Sequence, residues 1–497
     1  MNNNFKEEFI KSCSFSRLVG ASVVVIKGND IKFSDSYGYS DFENKIATTP
    51  DTIYRIASIS KIIVAMAIMK LVEDNKIHIN DDIQDILGFS IRNPKYPDIP
   101  ITIKMLMTQT SSITDGFIND DELIDDEEIK GYNGVNGTHL KVSLEDLLIP
   151  EKSKYWTSST FSDYEPGSKF IYSNFGCGIL ACIVEKVSNK LFTDFVRDTI
   201  LLPLDTDASF RPGDIINKEK AANIYLPEHS SNSYKISRDF ASFVENFYPV
   251  FPLGENYRGP AGGLFISTID LSKVMICLMN DGVYKDKVIL KKSTVEMMLQ
   301  THWFGNSDDD SYKAKGLQMR ILDKYPGILL RGHTGSAYGV ISYMFFNKET
   351  KTGICYVTNG GFYAKNESLM MDCQESTLNS FVKEYIKTDE MFHEFIFYIG
   401  KDYGILNGRK IIFPKTVFEE NNDYYIPAES LSEGLSVVPK VDDGFISISK
   451  NKRGVFFGMR SPGLKNIDNV YLLPFKYVVD TLKIKYEKID DQIIIRY

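Results

Sequence analysis

The stretch Tyr54-Arg55-Ile56-Ala57-Ser58-Ile59-Ser60-Lys61, continuing as Ile62-Ile63-Val64-Ala65-Met66-Ala67-Ile68-Met69-Lys70, decides how the rest of the chain is read. From Ile62 to Met69 every residue is apolar, so a helix here has no wet face and lies inside a domain. Ser58 and Lys61 stand three residues apart at its entrance, and one helical turn stacks side chains at that spacing. A hydroxyl and an amine at the mouth of a buried helix have two readings. One is a serine nucleophile activated by a lysine; the other is an N-cap serine near a solvated lysine. The tetrapeptide alone does not choose, because Ser-x-x-Lys recurs at Ser380/Lys383, Ser447/Lys450 and Ser449/Lys452.

A chain of 497 residues holds more than one domain, since single cores stop growing near about 250–300 residues. Its 43% hydrophobic and 25% charged residues are those of a globular protein. A net charge of −9 argues against nucleic-acid binding, which needs a basic face. The six cysteines, Cys13, Cys177, Cys182, Cys277, Cys355 and Cys373, form no Cys-x-x-Cys pair and read as scattered thiols, neither a disulfide framework nor a zinc site. The N-terminus has no apolar signal-peptide core and no run reaches the roughly 18 residues of a membrane span, so the expectation is a soluble, cytoplasmic chain.

Residues 21–26 and 31–37 flank Lys27-Gly28-Asn29-Asp30 and predict a β-hairpin. A short helix starts at 80–83 with a good cap residue and another covers 101–112, then an amphipathic helix covers about 175–187 and a further helix 192–201. Ser267-Thr268-Ile269-Asp270 reads as a capping box. Residues 328–331, 339–346 and 353–357 alternate like antiparallel strands, and 367–386 closes the region as a helix. Helices in the middle and strands at both ends predict an α+β domain. The acidic run Asp115, Asp120, Asp121, Glu122, Asp125, Asp126, Glu127 and Glu128 is expected to be a solvated loop.

Acyl transfer from a serine needs a proton acceptor, donors for the oxyanion and a grip on the substrate. Tyr172-Ser173-Asn174 follows Pro166-Gly167 at an expected strand-to-helix junction (strand 170–172), where the tyrosine can face a cleft. His333-Thr334-Gly335-Ser336 opens a strand, where the glycine admits a ligand and the next N–H can donate to an oxyanion. The order Ser-x-x-Lys, Tyr-x-Asn, His-Thr-Gly is a serine β-lactamase and penicillin-binding layout. On these motifs, with Pro260-Ala261-Gly262-Gly263-Leu264 and Leu202-Pro203-Leu204, residues from about 15 to 385 resemble the class C β-lactamase-like serine hydrolases, which include D-aminopeptidases, D-Ala-D-Ala carboxypeptidases and esterases. The resemblance implies a β-lactamase/transpeptidase-like antiparallel sheet with a helical domain, and no cofactor or metal. It makes Ser58 the acylated nucleophile, Lys61 the proton acceptor or the cation that keeps Tyr172 acidic, and Tyr172 the general base and later the acid toward the leaving group. Asn174 then holds the acyl amide of the substrate, and the Ser58 and Ser336 N–H groups form the oxyanion hole, beside Thr334 and Gly335. Lysine and tyrosine both titrate near 10 when free, so burial and mutual contact are expected to bring them toward working range. His333 replaces the lysine usual in β-lactamases and is expected at the substrate carboxylate, with activity falling as it deprotonates. Gln109-Thr110-Ser111-Ser112 replaces His-Thr-Ser-Gly, and Asn189 replaces a glycine; altered loops are expected there.

Past residue 390 the chain repeats itself. Asn422, Tyr424, Pro427, Leu435, Asp443, Ile446 and Ile448 match Asn469, Tyr471, Pro474, Leu482, Asp490, Ile493 and Ile495 at a constant offset of 47. Each copy predicts a strand, a proline, a short helix (428–435; 475–482) and a hairpin, so two copies make one small α/β repeat domain. The tail resembles the module found beside copper amine oxidases and in surface proteins of Firmicutes, although 401–497 contains no His or Cys and copper is not expected. The expected division is 1–388 for the hydrolase domain, 389–400 for a linker and 401–497 for the stalk-like repeats. The expected activity is acyl-Ser58 hydrolysis of small D-amino-acid-containing peptides, amides or esters. Alternatives are a penicillin-recognition or wall-binding module of weak activity, with a cell-wall polymer as partner of the tail, and a true β-lactamase. The resemblance sets a cell-surface location against the cytoplasmic one.

Overall fold

The apolar run at 21–26 becomes the strand Gly20–Lys27, which pairs antiparallel with Thr352–Gly360 on one side and Asp30–Asp41 on the other. A computed structural model shows this, describing residues 3–116, 142–245, 252–307, 312–365, 370–387, 393–442, 444–450, 452–459, 461 and 463–496. The chain forms two compact units: Met1–Lys291 with Gly332–Phe346 and Lys351–Ile386, and Lys292–Arg331 with Asn347–Thr350 and Lys387–Tyr497.

Six strands lie side by side in the order Ile328–Ala337, Val340–Asn347, Thr352–Gly360, Gly20–Lys27, Asp30–Asp41, Ile46–Ala47, all in the first unit save residues 328–331 and 347. Side chains alternate across a strand. Gly353 faces Met275 of the helix Thr268–Met279, whereas Tyr356 meets Phe9 of the helix Asn3–Phe15 edge to face. Helices therefore cover both faces, which is why Gly20–Lys27 is apolar on every residue from Val23 to Ile26. The helix Ser60–Glu73 is buried from Ile62 to Met69, and it packs on Asn174–Ser188. Ser267 caps Thr268–Met279 by accepting from Asp270 N at 3.1 Å, as its motif predicts. The six cysteines are buried and none is disulfide-bonded.

Two local expectations change. Residues 170–172 are not a strand; the N–H of Ile171 donates to Gln109 O instead (2.8 Å). The helix expected at 101–112 runs only over Ile103–Thr108, because Gln109 turns left-handed (φ 64°).

In the second unit the offset of 47 is visible element by element. Phe418–Glu420, Asp423–Pro427, Ala428–Leu435 and Phe445–Lys450 correspond to Lys465–Ile467, Val470–Pro474, Phe475–Leu482 and Gln492–Arg496. Both copies turn on two left-handed residues, Asn421-Asn422 and Asp468-Asn469, the type I′ requirement for a two-residue hairpin. The copies meet along Tyr425↔Pro474, Ile426↔Leu473 and Pro427↔Leu472. The central pair is Ile426 and its own counterpart, and the outer pairs exchange under the offset, so a local two-fold passes through this seam. Glu394–Tyr398, inside the expected linker, is a strand paired with Gln492–Arg496. Residues 292–331 and 347–350, which the expected division places with 1–388, pack in this unit. A buried charge pair is one tie within it: Arg331 Nη2 lies 2.5 Å from Glu433 Oε2, and Glu433 Oε1 also accepts from Thr301 N and Oγ1.

Candidate active site

Ser58 sits in the single turn Ala57–Ile59 that feeds the buried helix. Ala57 holds φ at +50°, a conformation strained for a residue with a Cβ. The turn is held from behind: Ser60 Oγ donates to Ala57 O (2.7 Å) and accepts from Leu264 N (3.1 Å). Ahead of it, the strand Ile53–Arg55 pairs with Phe265–Ser267. No side chain caps either helical N-terminus, which removes the capping role for Ser58. Its Oγ lies 3.0 Å from Lys61 Nζ instead.

Lys61 is 0% exposed, and a buried amine needs partners. Besides Ser58 Oγ it has Asn174 Oδ1 and Ala261 O, both at 2.8 Å. This arrangement suits both protonation states. As an ammonium Lys61 donates to all three oxygens; as an amine it donates to Asn174 and Ala261 and accepts from the Ser58 hydroxyl. The Tyr172 ring centroid lies 4.9 Å from Nζ, and its hydroxyl hydrogen-bonds Ser58. Tyr172 is positioned by Gln109, whose backbone O takes Ile171 N and whose Oε1 takes Ser173 N (2.6 Å). Burial pushes the Tyr172 phenol above its ordinary value, against the smaller opposing pull of the Ser58 hydrogen bond. For Tyr172 the expected shift toward working range is reversed: desolvation dominates and favours the protonated phenol.

The strand Ile328–Ala337 brings the second motif alongside. Gly335 is in extended backbone, but a Cβ there would come 2.5 Å from Ile56 O and closer still to Ser342 Oγ. The glycine thus admits the nucleophile turn itself, where a ligand was expected. Ser342 Oγ completes the join by donating to Ile56 O (2.9 Å). Thr334 is half-buried and Ser336 exposed. His333 is 0% exposed; its Nδ1–H donates to Thr334 O (2.5 Å) and its ring lies 6.4 Å from that of Tyr172. It lies beside the tyrosine and is buried, whereas a contact to a substrate carboxylate is expected to be open to the cleft.

Two residues were not anticipated. Gln109 was read only as a departure from a motif. Asp115 was read as part of a solvated loop, yet it is 5% exposed and accepts from Phe175 N (2.8 Å), Asn174 Nδ2 (2.9 Å) and Ser173 Oγ (3.3 Å). The rest of the acidic run, 120–128, lies outside the described residues. Among the described residues no group of three or more His, Cys, Asp or Glu side chains is placed to hold a metal ion, and no helix is long and apolar enough to cross a membrane.

Comparison with known proteins fits this geometry. Protein flp of Staphylococcus aureus (strain MRSA252) is 28% identical over 340 residues, covering 66% of this chain and 60% of that protein. The chain thus spans about 60% of the length of such relatives. Penicillin-binding protein 4* of Bacillus subtilis is 26% identical over 182 residues, 37% of this chain and 36% of that protein. Among solved structures, the octameric penicillin-binding protein homologue from Pyrococcus abyssi aligns with TM-score 0.60 at 20% identity, over 99% of this chain and 100% of that one. The D-amino acid amidase from Ochrobactrum anthropi aligns with TM-score 0.57 at 20% identity, over 76% and 97%. Both share the β-lactamase/transpeptidase-like fold. Residues 8–370 match the beta-lactamase family model, and the chain belongs to the beta-lactamase family.

Proposed function

We propose that this chain is a serine acyl hydrolase that forms an acyl-enzyme at Ser58 and acts on small D-amino-acid-containing amides, peptides or esters. The observation that carries the reading is Lys61 Nζ, buried and shared between Ser58 Oγ, Asn174 Oδ1 and Ala261 O. The likeness in fold to a D-amino acid amidase supports the substrate class.

In this reading the amine form of Lys61 takes the Ser58 proton as Oγ bonds to the acyl carbon. The oxyanion forms against the N–H groups of Ser58 and Ser336. Collapse breaks the bond to the leaving group, which takes the Tyr172 proton, and Lys61 returns a proton to Tyr172. Water then adds to the acyl-enzyme with the same proton path reversed, releasing the acid and the Ser58 hydroxyl. A neutral phenol suits the acid role, so Lys61 is the base and Tyr172 the proton donor. Asn174 and Thr334 hold the acyl amide, and His333 and Gly335 support Tyr172 and the nucleophile turn.

Labelling by a fluorescent fluorophosphonate is expected in the intact chain and absent in Ser58→Ala; labelling that persists in the variant sinks the assignment. A panel of nitrocefin, D-phenylalanine amide, a D-Ala-D-Ala peptide and a short-chain ester then ranks the substrates. Turnover confined to nitrocefin would make the chain a β-lactamase, and no turnover with retained binding to wall polymer would make it a binding module.

A further inference from the structure

Among the described residues, Asp115 is a buried carboxylate whose hydrogen bonds reach the Ser58–Lys61 pair through a single side chain, that of Asn174. Asn174 Nδ2 donates to Asp115 Oδ2 at 2.9 Å, so its other amide atom, Oδ1, is the one that faces Lys61 Nζ at 2.8 Å. An amide turned the other way would set its N–H groups against an ammonium and its carbonyl against a carboxylate. The path from Asp115 through Asn174 to Lys61 and Ser58 Oγ is thus a continuous chain of hydrogen bonds. Asp115 also accepts from Phe175 N (2.8 Å) and so helps to anchor the helix start; its bond to the Asn174 side chain is what goes beyond anchoring. Ser173 already caps Asn174–Ser188 by accepting from Gly176 N at 2.8 Å.

We propose that Asp115 is a positioning residue for acyl transfer at Ser58: it locks the Asn174 amide so that Lys61 is held on the nucleophile, and its charge sets the pH at which Lys61 becomes a base. This rests on the reading of Ser58 as the nucleophile. Burial pushes the Asp115 carboxyl up, while the N–H of Phe175, the amide of Asn174 and the nearby Lys61 charge draw it down. Attraction between Asp115 and Lys61 favours the ionised form of each, so removing the carboxylate makes Lys61 easier to deprotonate. The other titratable groups of the site are Tyr172, the Cys177 thiol on the adjoining helix and His333 beside the tyrosine.

The test is the rate of fluorophosphonate labelling across neutral to alkaline pH in the full chain, with the thermal midpoint of each variant. In Asp115→Asn the plateau rate is expected to fall about tenfold or more, since a misplacement of about 1 Å can cost roughly 10²-fold. The pH of half-maximal rate is expected to move down. In Asp115→Glu, which keeps the charge, the plateau falls and the half-maximal pH stays. If Asp115→Asn does not fold, Asp115→Glu carries the test alone, and an unchanged plateau overturns the proposal. Asn and Glu variants whose rates fall equally at every pH, in step with their thermal midpoints, would reduce Asp115 to a helix anchor and overturn it as well. Ser58→Ala separates the two readings: labelling that survives there removes the nucleophile assignment, whatever Asp115 does.

Discussion

Gly335 joins the two halves of the site, and it does so by lacking a side chain. Its Cα faces Ile56 O and Ser342 Oγ so closely that one methyl group has no room. Gly335→Ala is expected to push the strained turn at Ala57 away from the strand and to slow labelling of Ser58 by roughly 10²-fold, read from single-turnover rates. Tyr172→Phe keeps the ring against Lys61 and His333 and removes only the hydroxyl. Hydrolysis of a poor leaving group such as an amide is expected to fall by about 10²–10⁴-fold, the usual worth of acid–base catalysis. Acylation by a phenyl ester, which needs no leaving-group proton, should lose less in single-turnover measurements, and equal losses of acylation rate on both substrates would count against Tyr172 as the proton donor. The motif letters single out Ser58, Lys61, Tyr172 and Asn174 because each motif is local, and the structure brings these four side chains together. Gln109 and Asp115 were not legible. They act on backbone and side chains 59 and 64 residues away, and no spacing rule reports such pairs.

At the scale of elements, the helices Ala428–Leu435 and Phe475–Leu482 fall where the repeat put them, because proline and apolar periodicity are local signals. The strand expected at 170–172 failed for the opposite reason: its hydrogen-bonding partner is Gln109 and not another strand. Helix ends in this chain are strained where glycine is missing. Asn189, Ser436 and Lys483 all end helices in the left-handed conformation, at φ 53°, 53° and 57°. Lys483 is exposed, so Lys483→Gly is expected to stabilise the second unit by about 1 kcal/mol, measured as a rise in denaturant midpoint. Ser436→Gly should gain less, since the Ser436 hydroxyl pairs with His393 Nδ1 at 3.3 Å.

For the whole molecule, the expected boundary at residue 388 rests on a change of composition, whereas the second unit is also tied together by a charge pair between residues 102 apart. Replacing Glu433 leaves the Arg331 guanidinium buried and short of a partner, so Glu433→Gln is expected to destabilise the second unit by about 3–5 kcal/mol in thermal or chemical denaturation. Acid should act in the same place. Burial raises the Glu349 carboxyl, but Arg331 and Arg409 outweigh this and hold it below its ordinary value, and burial lowers His393. Both groups bind protons more readily when unfolded. The stability they add is present above their unfolded values, near 6.5 for histidine and 4.5 for glutamate, and is lost as pH falls through the folded ones. The melting temperature of this unit is expected to decline below about pH 6 and more steeply below about pH 4; a flat profile would mean that these groups do not carry its stability. The seam at Ile426 and Leu473 has one more consequence. An antiparallel edge related to itself by a two-fold is the geometry of a homodimer of a single copy. Tethering both copies in one polypeptide turns such an association, which would depend on dilution, into an intramolecular one at an effective concentration of order millimolar. The tail is in this sense a covalent dimer, and its assembly is indifferent to how much of the protein is made.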